Sequence, residues 1–363
     1  MQIFRTVLAC VLAAWVTIAS GAAQTATPNV IFITMDGFRW QELFTGPEQA
    51  LFKKDSDGRP GAAEQRFWRS TAEERRTTLM PFFWNVVAKR GAVFGDPSRN
   101  SRSHVTNGLW FSYPGYSEML AGVADPRVDS NDKVPNPNVT VLEWLNGRPG
   151  FSGRVGVFGS WDVLPSIVNV QRSHLAVGEV DHPVPDPQTD RERAINDVSA
   201  DLPSYWPGVP FDAPIMHAAI ESLRTRHPRV LYVMLGETDE WAHEGRYDLY
   251  LDAAFRSDRF IERVWTMVRS MPEYAGHTTL VLTTDHGRGI GPDDWKRHGE
   301  KVPAAENTWM AVMGPGVSSP GLREGVTVTT SQLAATIAAL VGEDFRAAVP
   351  KAAAPLPGVV GSR

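Results

Sequence analysis

Five short apolar runs recur along the chain with helical patterns between them, and this alternation constrains the fold more than any other feature. The runs are NVIFITM (29–35), RVGVF (154–158), RVLYVML (229–235), TTLVLTT (278–284) and WMAVM (309–313). They are nearly continuous in apolar character, as parallel strands covered on both faces must be. Helical patterns occupy 79–90, 139–146, 214–226, 248–269 and 331–341. Strand–helix alternation over this length predicts an α/β fold, a three-layer α/β/α sandwich with a largely parallel central sheet. Two polar stretches rich in Gly and Pro, 46–77 and 178–210, read as insertions that cover one end of the sheet. The Ala/Pro-rich stretch 347–363 reads as an ordered strap ending in a loose tail.

The first 23 residues follow the pattern of a secretory signal peptide. Arg5 precedes an apolar run at 7–18, and the small residues Ser20, Gly21, Ala22 and Ala23 come before a polar stretch. Removal near Ala23 would leave one domain, 24–363, exported to the periplasm or beyond. The single cysteine, Cys10, lies inside that apolar run, so the mature chain is expected to form no disulfide. No later segment reaches the roughly 20 apolar residues of a membrane span. The formal net charge is -5 and the basic residues are scattered, which argues against a stable nucleic-acid complex.

In open α/β sheets ligands bind beyond the carboxyl ends of the strands. Asp36 follows the first run, Asp239 and His243 follow the third in GETDEWAH, and Asp285-His286 ends the fourth. His298 comes just before the fifth. Each has an ordinary explanation alone: Asp-Gly is a turn signal, and Asp239 can cap its helix with His243 one turn later. Together they make three Asp and three His, the ligand types suited to Zn²⁺ or Mn²⁺ and a sufficient number for two ions. Two ions about 3.5–4 Å apart clamp the attacking and leaving oxygens of a displacement at phosphorus.

Such a pair calls for a nucleophile. Ser112, in WFSYPGYSEM, stands two residues before Pro114 at the start of a short amphipathic run. Locally it could equally be a helix cap. Beside a metal its hydroxyl would be drawn toward alkoxide, and a helix N-terminus favours the charge that accumulates there.

In this order the residues resemble the alkaline phosphatase superfamily, and the wording around them resembles its type I phosphodiesterase/nucleotide pyrophosphatase branch. The segments that carry the resemblance are NVIFITMDGFRW, FSYPGYSEMLAG, GETDEWAH, VLTTDHGRG and RHGEKVPAAENTW, with TTSQLAATIAALVG resembling the helix that closes the fold. The resemblance implies an alkaline phosphatase-like sandwich with two divalent ions, most simply Zn²⁺, with Mn²⁺ also suitable. One ion would be held by Asp239, His243 and His298, the other by Asp36, Asp285 and His286. A small-molecule phosphate ester would then form a phosphoseryl intermediate on Ser112. An Asn after the nucleophile would help to hold a phosphate oxygen, which makes Asn131 and Asn136 candidates, with Asn107 a further one. The backbone N–H of Tyr113 is placed as an oxyanion donor.

Two departures bear on the substrate. Phosphodiesterase relatives commonly show Thr-Phe-Pro-Asn where this chain has Ser112-Tyr113-Pro114-Gly115. Sulfatases of the same fold carry Cys/Ser-x-Pro-x-Arg, and here Tyr116 stands at the arginine position. The expected activity is therefore that of a phosphodiesterase or nucleotide pyrophosphatase. A phosphomonoesterase or phosphotransferase comes next, then a sulfatase or a non-catalytic binder of phosphate ligands. A monoesterase should set Arg or Lys on the extra charge, and Arg39, Arg102, Arg172, Lys296 and Arg297 are available. A diesterase should offer an aromatic slot, and Phe38, Trp40, Tyr113, Tyr116, Trp161 and Trp241 are available.

Overall fold

The computed structural model describes residues 27–360 except Gly316, Ser318 and Ser319. The signal-peptide pattern at 1–23, with Cys10, lies outside the described residues. The strands are β1 (Asn29–Met35), β2 (Ala92–Phe94), β3 (Arg102–His104), β4 (Val155–Gly159), β5 (Val177–Gly178) and β6 (Val230–Leu235). They continue with β7 (Thr278–Thr283), β8 (Asn307–Thr308), β9 (Met310–Met313), β10 (Gly321–Leu322) and β11 (Thr327–Thr329). Eight of them form one sheet in the order β10-β2-β9-β7-β1-β6-β4-β5, while β11, β3 and β8 form a small second sheet.

All five apolar runs are strands of the large sheet. From β7 through β1, β6 and β4 to β5 the pairing is parallel, whereas β9 runs antiparallel to both β7 and β2. A parallel return needs a crossover, usually a helix packed on the sheet face. The segment between β7 and β9 instead folds over the strand tips, so β9 re-enters from that end.

Alternation along the strands separates two cores. Ile31, Ile33 and Met35 pack with Ile215, Ala219, Tyr250 and Val264 on one face, and Val30 and Phe32 pack with Tyr116, Leu120, Leu142 and Ile337 on the other. The helices Asp212–Thr225 and Tyr247–Ser270 therefore cover one side, and Ser112–Ala121, Val141–Asn146 and Gln332–Leu340 cover the other. Burying each large aliphatic side chain stabilises this arrangement by about 1.5–3 kcal/mol. The C-terminal strap is ordered: Ala352, Leu356 and Val359 are buried, and Ala353 N–H donates to Gly122 O at 2.9 Å, just past the Ser112–Ala121 helix.

The insertions only partly follow the reading that both cover one end of the sheet: 178–210 brings Val209 to the strand tips, whereas 46–77 packs in the outer layer. Residues 46–77 carry the helix Ala62–Phe67 and most of the helix Ala72–Leu79, which pack on Trp40–Thr45 and Tyr247–Ser270 in the outer layer. Residues 178–210 contain a helix, Asp190–Asp201, that packs on Asp212–Thr225. Its apolar face is short, but its capping box, Thr189 with Glu192, was readable as a helix start. The helical pattern at 79–90 is broken: Pro81 follows the end of the Ala72–Leu79 helix, and the turn Phe83–Val87 is π-helical.

Asp258 anchors that turn by accepting from the backbone N–H groups of Phe82 (2.7 Å) and Phe83 (2.8 Å). Burial pushes its carboxyl up to about 7. The folded state then holds a proton that the unfolded chain has lost, so this group's contribution to stability falls as pH rises from about 4 to about 7. Urea unfolding of Asp258→Asn is expected to show a shallower pH slope across that window, and a slope equal to that of the unsubstituted chain contradicts the assignment.

Candidate metal centre and nucleophile

Strands β7, β1 and β6 are parallel neighbours, so their carboxyl ends open side by side and carry Asp285-His286, Asp36 and Asp239. Asp36 N–H donates to Leu235 O at 2.8 Å, extending the β1–β6 ladder by one residue. Gly37 N–H donates to Asp285 Oδ1 at 3.1 Å. Asp239 and His243 lie one turn apart on the helix Glu237–His243, with His243 Nε2 3.0 Å from Asp239 Oδ2. His298 comes from the segment that folds over the tips. Its Nε2 lies 3.0 Å from His243 Nε2, and its ring stacks on His286 with centroids 4.0 Å apart. All six expected ligands are thus brought together.

Two groups, Asp36/Asp285/His286 and Asp239/His286/His298, each present their ligand atoms within 4.8 Å of one another. His286 Nδ1 lies 2.9 Å from Gly287 O, which places its proton there and leaves Nε2 as the ligating nitrogen. That Nε2 is 3.5 Å from Asp36 Oδ1 and 3.4 Å from Asp285 Oδ2. One nitrogen serves one ion, so a second ion requires His243 beside Asp239 and His298.

The electrostatics fit a cation. Asp36 Oδ1 and Asp285 Oδ2 are buried with no hydrogen-bond partner among the described residues. Burial, with the Asp285 charge alongside, holds Asp36 well above the usual carboxylate range, and burial pushes Asp285 up to about 7. Burial also holds His286 and His298 low, in the neutral form that ligates. Unsatisfied carboxylate oxygens facing neutral imidazole nitrogens form a donor set for a divalent ion.

Ser112 is the first residue of its helix and not the cap. Phe111 holds the N-cap position, and no side chain caps the turn. The Ser112 hydroxyl instead lies 3.3 Å from His286 Nε2.

Solved structures share this architecture at low sequence identity. A phosphonate monoester hydrolase from Silicibacter pomeroyi matches with a TM-score of 0.55 and 14% identity, covering 88% of this chain and 74% of that one. A magnesium-bound mutant of TAB5 alkaline phosphatase matches at 0.50 and 11%, covering 88% and 99%. A 2-O GAG sulfatase matches at 0.50 and 14%, covering 88% and 71%. The chain has the alkaline phosphatase-like fold. No protein-family model and no curated protein matches the sequence. The neighbours include phosphonate, phosphate and sulfate ester hydrolases, so the alkaline phosphatase-like fold does not choose the ester.

Within the candidate site several sequence assignments change. Tyr113 N–H is already donated to Asn131 Oδ1 at 3.0 Å, so it is not a free oxyanion donor, and the Tyr113 hydroxyl donates to Val134 O at 2.6 Å. Asn131 lines the cleft above Ser112, and its Nδ2 has no partner among the described residues. Asn136 is buried away from the cleft: its Nδ2 donates to Ser117 Oγ and Ile167 O, and its Oδ1 accepts from Asn138 N–H. Asn107 shapes the loop before the nucleophile, its Oδ1 accepting from Leu109 and Trp110 N–H while its Nδ2 donates to Glu118. The buried Glu118 carboxylate also accepts from Thr106 and Thr330, which pins that loop.

Two residues have contacts at the site that the sequence reading did not assign to them. Tyr116 donates its hydroxyl to Asp36 Oδ2 at 3.0 Å, leaving Oδ1 for an ion. Its spacing, one helical turn after Ser112, was the available signal. Arg288, two residues past His286, is fully buried, contacts Asp239 Oδ1 and donates to Lys296 O at 2.7 Å. A side chain at Gly37 would place Cβ 2.6 Å from Asp239 Oδ1 and 2.8 Å from Arg288 Nε, and its φ of +56° also favours glycine.

None of the cations considered for a monoester reaches the cleft. Arg39 is buried in ion pairs with Glu42 and Glu48, Arg102 faces Glu306, Arg172 pairs with Glu143, and Arg297 faces Asp294. Among the described residues no Lys or Arg lines the cleft. Of the aromatic candidates Trp161 alone lines it. Phe38 and Tyr116 are buried in the core, and Trp241 packs edge-on against Trp206 with ring centroids 4.5 Å apart.

Proposed function

We propose that the chain is a metal-dependent phosphodiester hydrolase of the phosphodiesterase or nucleotide pyrophosphatase type, acting through a phosphoseryl intermediate on Ser112. The leader pattern at 1–23 supports work outside the cytoplasm. The observation that carries the reading is Ser112 Oγ at a helix start, 3.3 Å from His286 Nε2 and beside the unpartnered oxygens of Asp36 and Asp285. The preference for diesters over monoesters is supported by a cleft with Trp161 and Val209 in its walls and no Lys or Arg among the described residues that line it.

Two divalent ions, Zn²⁺ or Mn²⁺, held by Asp239, His243 and His298 and by Asp36, Asp285 and His286, would neutralise phosphoryl oxygens and favour the deprotonated serine. Ser112 Oγ attacks phosphorus in line; the P–Oγ bond forms as the bond to the leaving alcohol oxygen breaks. The N-terminus of the Ser112–Ala121 helix favours the charge on Oγ. Asn131 Nδ2 is placed to donate to a non-bridging oxygen, and Trp161 packs against the substituent that stays on phosphorus. Water then displaces Ser112, releasing a monoester and restoring the hydroxyl.

On metal-quantified full-length chain, kcat/KM for bis-nitrophenyl phosphate is expected to exceed that for nitrophenyl phosphate by at least about ten-fold, since among the described residues no Lys or Arg in the cleft meets the extra charge of the monoester. The reverse order would make the chain a monoesterase, and preference for nitrophenyl sulfate would make it a sulfatase. Inactivity on all three would favour a binding role.

A further inference from the structure

The cleft that leads to Ser112 has one wall suited to a positive charge. Strands β6 and β4 are neighbours, and the segments after their tips supply Glu240 and Trp161 to the same cleft. Glu240 follows Asp239 on the Glu237–His243 helix, is partly buried, and its carboxylate has no hydrogen bond or ion pair among the described residues. The Trp161 ring is also partly exposed. Val209, at the end of the 178–210 insertion, lines the same cleft and lies against Gly236.

The rim has the same character. Asp162, next to Trp161, pairs with Lys133 at 2.7 Å, and Glu179 and Asp181 lie close enough to act on the same ammonium. Three carboxylates thus face one lysine. Tyr205, 53% exposed, extends the aromatic surface, its ring 4.9 Å from that of Trp206 and 5.4 Å from that of Trp241. The Asp residues of the metal set are matched by the ions they would hold, whereas Glu240 has no such match. A nucleoside polyphosphate would bring further negative charge against this wall, and among the described residues no Lys or Arg lines the cleft to receive it. A cationic group would meet both a carboxylate and an indole face.

We propose that the substituent retained on phosphorus is a cationic amino alcohol, its ammonium group seated between the Glu240 carboxylate and the Trp161 ring; this rests on the phosphodiesterase reading above. In the reaction the P–Oγ bond to Ser112 forms as the other ester bond breaks, and water releases the amino-alcohol phosphate.

The test compares two nitrophenyl phosphodiesters on the metal-loaded full-length chain, the choline ester and its uncharged 3,3-dimethylbutyl isostere. The choline ester is expected to have the higher kcat/KM by about ten-fold, the worth of a partly desolvated cation–π and carboxylate contact. Glu240→Gln is expected to bring the ratio close to one. Lys133→Ala, which removes the ammonium from the rim, is expected to raise it. A ratio near one in the unsubstituted chain, or a ratio that Glu240→Gln does not change, overturns the cationic substituent and leaves the diesterase reading standing, because both probes are diesters. Turnover of nitrophenyl phosphate or sulfate with neither diester hydrolysed overturns both.

Discussion

Ser112→Ala is expected to lower kcat on bis-nitrophenyl phosphate by at least about three orders of magnitude, the scale of losing a covalent nucleophile, while metal content is retained. The two halves of this outcome come from different parts of the structure. The hydroxyl caps nothing, since Phe111 is the N-cap and the turn has no side-chain cap bond. Removing it therefore leaves the helix start intact. The six candidate ligands approach from β1, the Glu237–His243 helix, the tip of β7 and the segment after it, none of them on the Ser112 helix. Ser112→Thr restores a hydroxyl at the same place and should recover a measurable part of the rate. Full activity in the alanine variant, with metal content measured on the same sample, would sink the nucleophile assignment.

Gly115→Ala should lower kcat by about 100-fold, the scale of a misplacement near 1 Å, and lower stability by about 1–3 kcal/mol through overpacking. A Cβ at this position would lie 2.6 Å from Asp285 O, a backbone atom that cannot swing aside. The first turn of the Ser112 helix is pressed onto the strand tip that carries Asp285 and His286, and this contact brings Ser112 Oγ to His286 Nε2. Adding a methyl group must push the helix start away from the metal ligands. Steady-state kinetics and thermal unfolding of one preparation test both effects, and unsubstituted values for both would show that the contact does not set the site. Gly115 thus has a packing role, and the missing asparagine of the Thr-Phe-Pro-Asn pattern says less about substrate than the sequence suggested.

Much of the site was legible because strand tips are legible. Apolar runs ending in Met35-Asp36, Leu235-Gly236 and Thr284-Asp285 marked where side chains would gather, and sheet order then made three of those tips neighbours. Hydrogen-bond acceptors and donors were not legible in the same way. Asn136 and Asn131 look alike in sequence, yet Asn136 is consumed by Ser117, Ile167 and Asn138 while Asn131 stays at the cleft. Tyr113 N–H was a free donor on paper and is occupied by Asn131 in the fold. Arg288 drew no reading from sequence and is the buried partner of Asp239.

Residue order alone determined the three-layer sandwich and pointed to the six candidate ligands, because apolar periodicity and the Asp/His types at strand ends are local properties of the chain. Which atoms remain free was decided by the tertiary structure. Among the described residues burial leaves Asp36 Oδ1 and Asp285 Oδ2 without partners, spends Arg39 and Arg172 on carboxylates, and leaves Glu240 unpaired in the cleft. A side chain's availability depends on what the rest of the chain folds against it, and no window of sequence around that side chain contains those neighbours.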